Sequence, residues 1–170
     1  QYVDFLNHIT SVQAATRYSA SNPFSPASHR YNITGTHPNF TTTTPYLPCT
    51  YIEFFDAAAY ADWCGLRPMT ELEFEKAARG TAAPVSGEYV WGTNTIISST
   101  LNIVNLNSNN ETIGTGYSTT VGNAWFNPYA SISSPVRSGC FAANALNSGR
   151  VSAGASYYGI MELSGNCWER

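Results

Sequence analysis

The sequence predicts an α+β fold in which helices come first and short strands with much irregular chain follow. Three observations carry this. Asp56–Gly80 (DAAAYADWCGLRPMTELEFEKAARG) is the one long run with helical spacing, helix stops and an N-terminal capping signal. Gln1–Ile9 sets Tyr2, Phe5, Leu6 and Ile9 at the i, i+3, i+4, i+7 spacing of one helical face. Beyond Thr81 the helical spacing vanishes, and short apolar runs alternate with turn residues. At 170 residues the chain is expected to form one domain, 1–170.

In the opening helix Asp4, Asn7 and His8 are expected to face solvent. From Ser19 to Thr44 no periodicity is found, and Asn22-Pro23, Ser25-Pro26 and His37-Pro38 bias the chain away from helix. This predicts a long ordered surface loop with room for one short strand. Pro45–Glu53 is expected to be extended. A helix follows over Phe55–Cys64, with Phe55, Ala58, Ala59 and Asp62 on one face and Gly65 as its left-handed stop. Thr70 and Glu73 form a capping box for a second helix, Glu71–Arg79. Its carboxylates come early and Lys76 and Arg79 come late, which complements the helix dipole. Leu72, Phe74, Ala77 and Ala78 are its apolar contribution, and Gly80 ends it. Further on, Glu88–Gly92 reads as a strand end with a turn. Ser134–Phe141 reads as a short strand, and Tyr157–Arg170 as an apolar hairpin around Ser-Gly-Asn.

Composition narrows the function classes. Charged residues make up 11% of the chain, against roughly 25% in ordinary soluble domains. Solubility then rests on Ser, Thr and Asn, which suits a protein outside the cytoplasm. Lys and Arg total 8 with no basic run, so a nucleic-acid surface is not expected. No apolar run approaches the ~20 residues of a membrane span. The chain opens mid-pattern and is expected to be a piece of something longer. Cys49, Cys64, Cys140 and Cys167 allow two disulfides or buried free thiols, and without a CxxC spacing zinc is not expected. Sequons at Asn32, Asn39 and Asn110 mark expected exposed loops.

The residues also carry a family resemblance. Asp56–Trp63, Gly65–Glu71 and Glu73–Gly80 together resemble the helical segment of the formylglycine-generating enzyme (sulfatase-modifying factor) family. Tyr89-Val-Trp-Gly92 is similar to that family's YPWG, and Pro135-Val136 to its PVG strand. Tyr158–Glu169 (YGIMELSGNCWE) is similar to its GLYDMAGNVWEW, and Gln1–Asn7 to its early QYVEFLN. These blocks follow in order over almost the whole chain. Pro68-Met69 in place of Leu-Pro, and Val90 in place of the YPWG proline, depart from the pattern.

The resemblance implies a modified C-type-lectin-like fold: two helices with small antiparallel sheets and much irregular loop. The family's first strand and its C-terminal strands have no counterpart in this stretch. An extracytoplasmic location is implied as well. Structural calcium is implied near two of the matching blocks. In the terminal block the positions are Glu162, Gly165, Cys167 and Glu169, offering two carboxylates and two backbone carbonyls around a tight turn. Such hard oxygen donors suit Ca²⁺; the other reading is a solvated turn with two surface acids. At the second site Asn102 and Ile103 match, with Glu111 the only acid nearby.

The resemblance places the family's copper-binding cysteine pair beyond Arg170, so no catalytic role passes to Cys140 or Cys167. Soft thiolates do suit Cu(I). His8, His29 and His37 show no HxxxH spacing and read as exposed loop residues. Tyr117, Trp125, Phe126 and Tyr129 form an aromatic cluster that either packs the loops or binds sugars or peptides. The expectation is a non-catalytic, calcium-stabilised binding or structural module whose open sheets are completed by another polypeptide. The alternative is a fragment of a copper-dependent oxidase that converts a substrate cysteine to formylglycine.

Overall fold

The computed structural model describes residues 1–18, 30 and 32–167. Readings that fall on His29, Asn22-Pro23, Ser25-Pro26 and Glu169 lie outside the described residues. The fold class is α+β: the described residues form four α-helices and two small antiparallel sheets. They divide into two compact units, Gln1–Pro68 and Met69–Glu169. No helix among them is long and apolar enough to cross a membrane.

The first unit begins with α1 (Tyr2–His8), which buries Tyr2, Phe5 and Leu6 as the spacing requires. Asn7 does not simply face solvent. Its amide donates to the Phe40 carbonyl (2.9 Å) and accepts from the Phe40 amide (2.8 Å), tying the helix to the loop. A second helix, α2 (Ser11–Arg17), follows at once. The sequence reading passed over it because only Ala14 is buried and Val12 is exposed, so there is no apolar stripe to detect. Its signal was the capping box: Thr10 Oγ1 accepts from the Gln13 amide (3.3 Å), and Gln13 Oε1 accepts from the Thr10 amide (3.0 Å).

The loop contains a minimal hairpin, β1 (Ile33–Thr34) against β2 (Thr41–Thr42). Ile33 and Phe40 join Tyr2, Phe5, Leu6 and Ala14 in one core. Pro45–Glu53 holds turns rather than a strand. His37 is half-buried, with Nε2 2.8 Å from the Ile9 carbonyl, and so is not a solvated loop residue.

The helix α3 (Phe54–Trp63) has no fully buried residue. It lays Ala59 and Tyr60 on the core, with the Tyr60 and Trp63 rings each 5.7 Å from Phe5. The expected face was rotated: Phe55 is 75% exposed and Asp62 is exposed. Arg17 anchors the start of α3 through Asp56 Oδ1 (3.0 Å) and the Phe55 carbonyl (3.2 Å). Gly65 follows at φ 72°.

The second unit opens with α4 (Glu71–Arg79), with the bounds and capping box that the sequence predicted. Thr70 Oγ1 accepts from the Glu73 amide (3.3 Å), and Glu73 accepts from the Thr70 amide (2.9 Å). Ala78 is its buried residue, whereas Leu72 is 82% exposed. Beyond it, β3 (Asn102–Val104) pairs antiparallel with β4 (Thr112–Thr115), with a register irregularity between Asn102 and Ile103. One core gathers Leu101, Ile113, Trp125, Val136, Cys140 and Phe141. Another gathers Ala78, Val90, Trp91 and Ala124, and Ile96 and Phe126 pack against both.

Three expected strands are absent among the described residues: 88–92, 134–141 and 157–167 are turns and bends. Their short apolar runs gave the strand-like pattern, but their backbone groups bond within turns or to side chains. The Tyr89 amide donates to the Thr93 carbonyl (3.0 Å), and Val136 is paired by an asparagine side chain.

Because the Thr70 box is exposed and complete, Thr70→Ala should cost about 1 kcal/mol. A urea titration is expected to show a lower midpoint with an unchanged slope; an unchanged midpoint would mean that the cap contributes nothing.

Candidate functional site

The terminal block is an irregular turn whose backbone is set by left-handed residues. Glu162, Gly165 and Asn166 have φ of 65°, 99° and 66°. A Cβ on Gly165 would lie 2.9 Å from the Trp125 carbonyl oxygen, so the chain passes close to its neighbour there. Asn166 is the anchor. Its Oδ1 accepts from the Val136 amide (2.8 Å), its Nδ2 donates to the Val136 carbonyl (3.0 Å), and its own amide donates to Trp125 (2.7 Å). One side chain thus does for Val136 what a neighbouring strand would do.

Glu162 Oε1 accepts from the Gly139 amide (3.2 Å) and lies 4.0 Å from Cys140 Sγ. Desolvation pushes the Glu162 pKa up to about 7, against smaller lowering effects of the Gly139 amide and Arg137. Arg137 offsets that desolvation only in part, and a bound divalent ion would offset more of it. The carboxylate of Glu162 and the carbonyls of Gly165 and Cys167 are hard oxygen donors, which fits Ca²⁺ rather than a thiophilic metal. Among the described residues no group of three or more His, Cys, Asp and Glu converges to hold a metal.

At the second matching position, Asn102 Nδ2 donates to Thr115 Oγ1 (3.1 Å) across the β3–β4 pair, and Ile103 packs on the core. Glu111 does not extend this site. It is fully buried, and its two oxygens accept from the backbone amides of Arg137 (2.9 Å) and Asn107 (3.1 Å). Arg137 Nε in turn donates to the Glu111 carbonyl (3.0 Å). Glu111 and Glu162 therefore grip the same turn, Arg137–Cys140, from two sides. Sequence reasoning missed Arg137, Asn123 and Asn166 because a lone Asn or Arg in a loop carries no periodic signal.

All four cysteines are free thiols. Cys140 is buried, and burial together with the Glu162 and Glu111 charges raises its pKa well above the ordinary thiol value. Of the aromatic cluster, Trp125 is buried with Nε1 donating to the Ser134 carbonyl (2.8 Å), and Phe126 packs edge-on to Tyr129 at 5.3 Å. Tyr117 lines an open cleft.

Glu162 sets a pH dependence. Its folded pKa, about 7, lies above its ordinary value of 4.5. Its contribution to stability is therefore complete below the ordinary carboxyl range and is lost as pH rises to and past about 7. In calcium-free buffer Glu162→Gln is expected to melt above the parent at about pH 8, with the gap closing near pH 5. Equal melting temperatures across that range would show that the carboxyl is not perturbed.

The ordering of these parts along the chain matches known proteins. A family model described as "Sulfatase-modifying factor enzyme 1-like domain" matches residues 2–170. A protein named "Formylglycine-generating enzyme" from Streptomyces coelicolor is 40% identical over 67 residues, 39% of this chain and 18% of that protein. The matched stretch thus spans less than a fifth of that relative's length. No solved structure matches. With the family pattern running from α1 through the terminal Asn166 turn, this chain belongs to the sulfatase-modifying factor enzyme 1-like family.

Proposed function

We propose that this chain is an extracytoplasmic binding or structural module, stabilised by calcium at the terminal block and not by itself a catalyst. The observation that carries this reading is the terminal block, where the Glu162 carboxylate sits against the Gly139 amide beside the left-handed Gly165 and Asn166. Copper ligation and oxygen activation in this family call for thiolates. Burial first, and then the Glu162 and Glu111 charges, raise the Cys140 thiol well above its ordinary range. Cys49 and Cys64 belong to the other compact unit, and Cys64 is exposed at the end of α3. The charge-poor, Ser/Thr/Asn-rich composition supports the extracytoplasmic location.

A second polypeptide completes the assembly in this reading. Both sheets have two strands, so β1, β2, β3 and β4 each present an unpaired edge among the described residues. In the first unit Phe54, Phe55, Trp63 and Leu66 are exposed apolar side chains on and after α3. The competing reading is a piece of a copper-dependent oxidase acting on a substrate cysteine. The 67-residue likeness to the Streptomyces enzyme favours it.

Two measurements decide. Calcium is expected to raise the melting temperature in a concentration-dependent way, and a chelator to reverse it; no shift would remove the metal from the proposal. Aerobic incubation with Cu(I) and a sulfatase-type cysteine peptide is expected to leave the peptide mass unchanged. Loss of the cysteine with gain of an aldehyde would establish the oxidase instead. Sedimentation over a wide concentration range, together with amide hydrogen exchange of the strand edges, reads the partner. A monodisperse monomer with solvent-exchanging strand edges would contradict it.

A further inference from the structure

The second unit carries a broad, shallow cleft of about 810 Å³ between the segments 94–99 and 117–121. None of its lining residues is charged. Ile96 and Val121 give it apolar surface, half-buried Tyr117 gives it a ring, and Asn94, Ser98, Ser99 and Thr119 give it polar groups. Those four side chains are exposed and make no hydrogen bond within the described residues.

The walls are more strongly built than loops need to be. At one end the Ile97 amide donates to the Gly122 carbonyl (2.9 Å), and the Trp91 ring lies so close to Gly122 that a Cβ there would sit 1.9 Å from it. Trp91 Nε1 is itself fixed on the Thr95 carbonyl (3.1 Å). At the other end Gly116, at φ 87°, passes so near the Thr100 carbonyl that a Cβ would lie 2.0 Å from its oxygen. Fully buried Asn123 locks the second wall. It accepts from the Ser118 amide (2.8 Å) and donates to the Ser118 carbonyl (2.6 Å), while Ser118 Oγ accepts from the amides of Thr120 and Val121. Both walls are thus held before any ligand arrives, which removes the ordering cost of binding.

We propose that this cleft binds a neutral saccharide chain. Amide and hydroxyl side chains both donate and accept, which matches the hydroxyls of a sugar. A tyrosine ring offers an apolar face for sugar C–H groups with a polar tip beside it. The missing cations leave nothing to bind a phosphate or carboxylate. The shallow form cannot enclose a small molecule as an ordinary pocket does, but it can support several units of a chain lying along it. This assignment specifies the ligand of the binding module proposed above and uses no residue of the calcium site, so the two fail separately.

The test is an amide-shift titration of the ¹⁵N-labelled chain with maltotriose, cellotriose, triacetylchitotriose and mannotriose, alongside a neutral Ser/Thr-rich hexapeptide. At least one sugar is expected to give saturable shifts confined to 94–99 and 117–121. Tyr117→Ala should weaken it about tenfold or more. Tyr117 also packs on the core, so Ser99→Arg and Thr119→Arg serve as variants at exposed positions, each abolishing binding with an unchanged melting temperature. The proposal is overturned by no response to any of the four sugars, by binding of the peptide alone, or by sugar binding that survives both arginine variants.

Discussion

The second unit depends on buried side chains that take over the backbone pairing normally supplied by a sheet. Beyond α4 only the short β3–β4 pair is regular among the described residues, yet Val136, Arg137, Gly139 and Ser118 all find partners for their amides in Asn166, Glu111, Glu162 and Asn123. Buried backbone groups must be paired, because leaving one unpaired costs about as much as a lost hydrogen bond. Here a handful of Asn and Glu residues meets that demand. Glu111, Asn123 and Asn147 are as buried as the leucines and isoleucines around them.

This also explains where the sequence was legible. α1, α3 and α4 were readable because spacing, capping residues and stops all agree at Tyr2–Ile9, Phe54–Gly65 and Thr70–Gly80. The rotation of α3 was not, since a run of alanines does not mark which side faces inward; Tyr60 and Trp63 decide it by stacking near Phe5. α2 was hidden by its lack of an apolar stripe. The strands expected at 88–92, 134–141 and 157–167 failed for one shared reason. Runs of apolar residues report side-chain chemistry alone, and these segments pair backbone groups through turns and side-chain amides instead of ladders.

The candidate site was legible in position more than in environment. Glu162, Gly165 and Asn166 take left-handed backbone around the Ser-Gly-Asn turn. The burial of Glu162 against Gly139 and Cys140 could not be read from the chain, because those residues are far from it in sequence. The same holds for Glu111, whose nearness in sequence to Asn102 and Ile103 gave it a ligand's appearance. Its oxygens instead hold the amides of Arg137 and Asn107.

The walls of the cleft separate two tasks that loops usually combine. Gly116, Gly122, Trp91 and Asn123 fix the path of the chain, whereas Asn94, Ser98, Ser99 and Thr119 hold nothing in place. Substitution at the second group leaves the first untouched, so the surface chemistry can drift while the scaffold stays put. Changes at those exposed positions can therefore accumulate one residue at a time without disturbing the contacts that shape the walls.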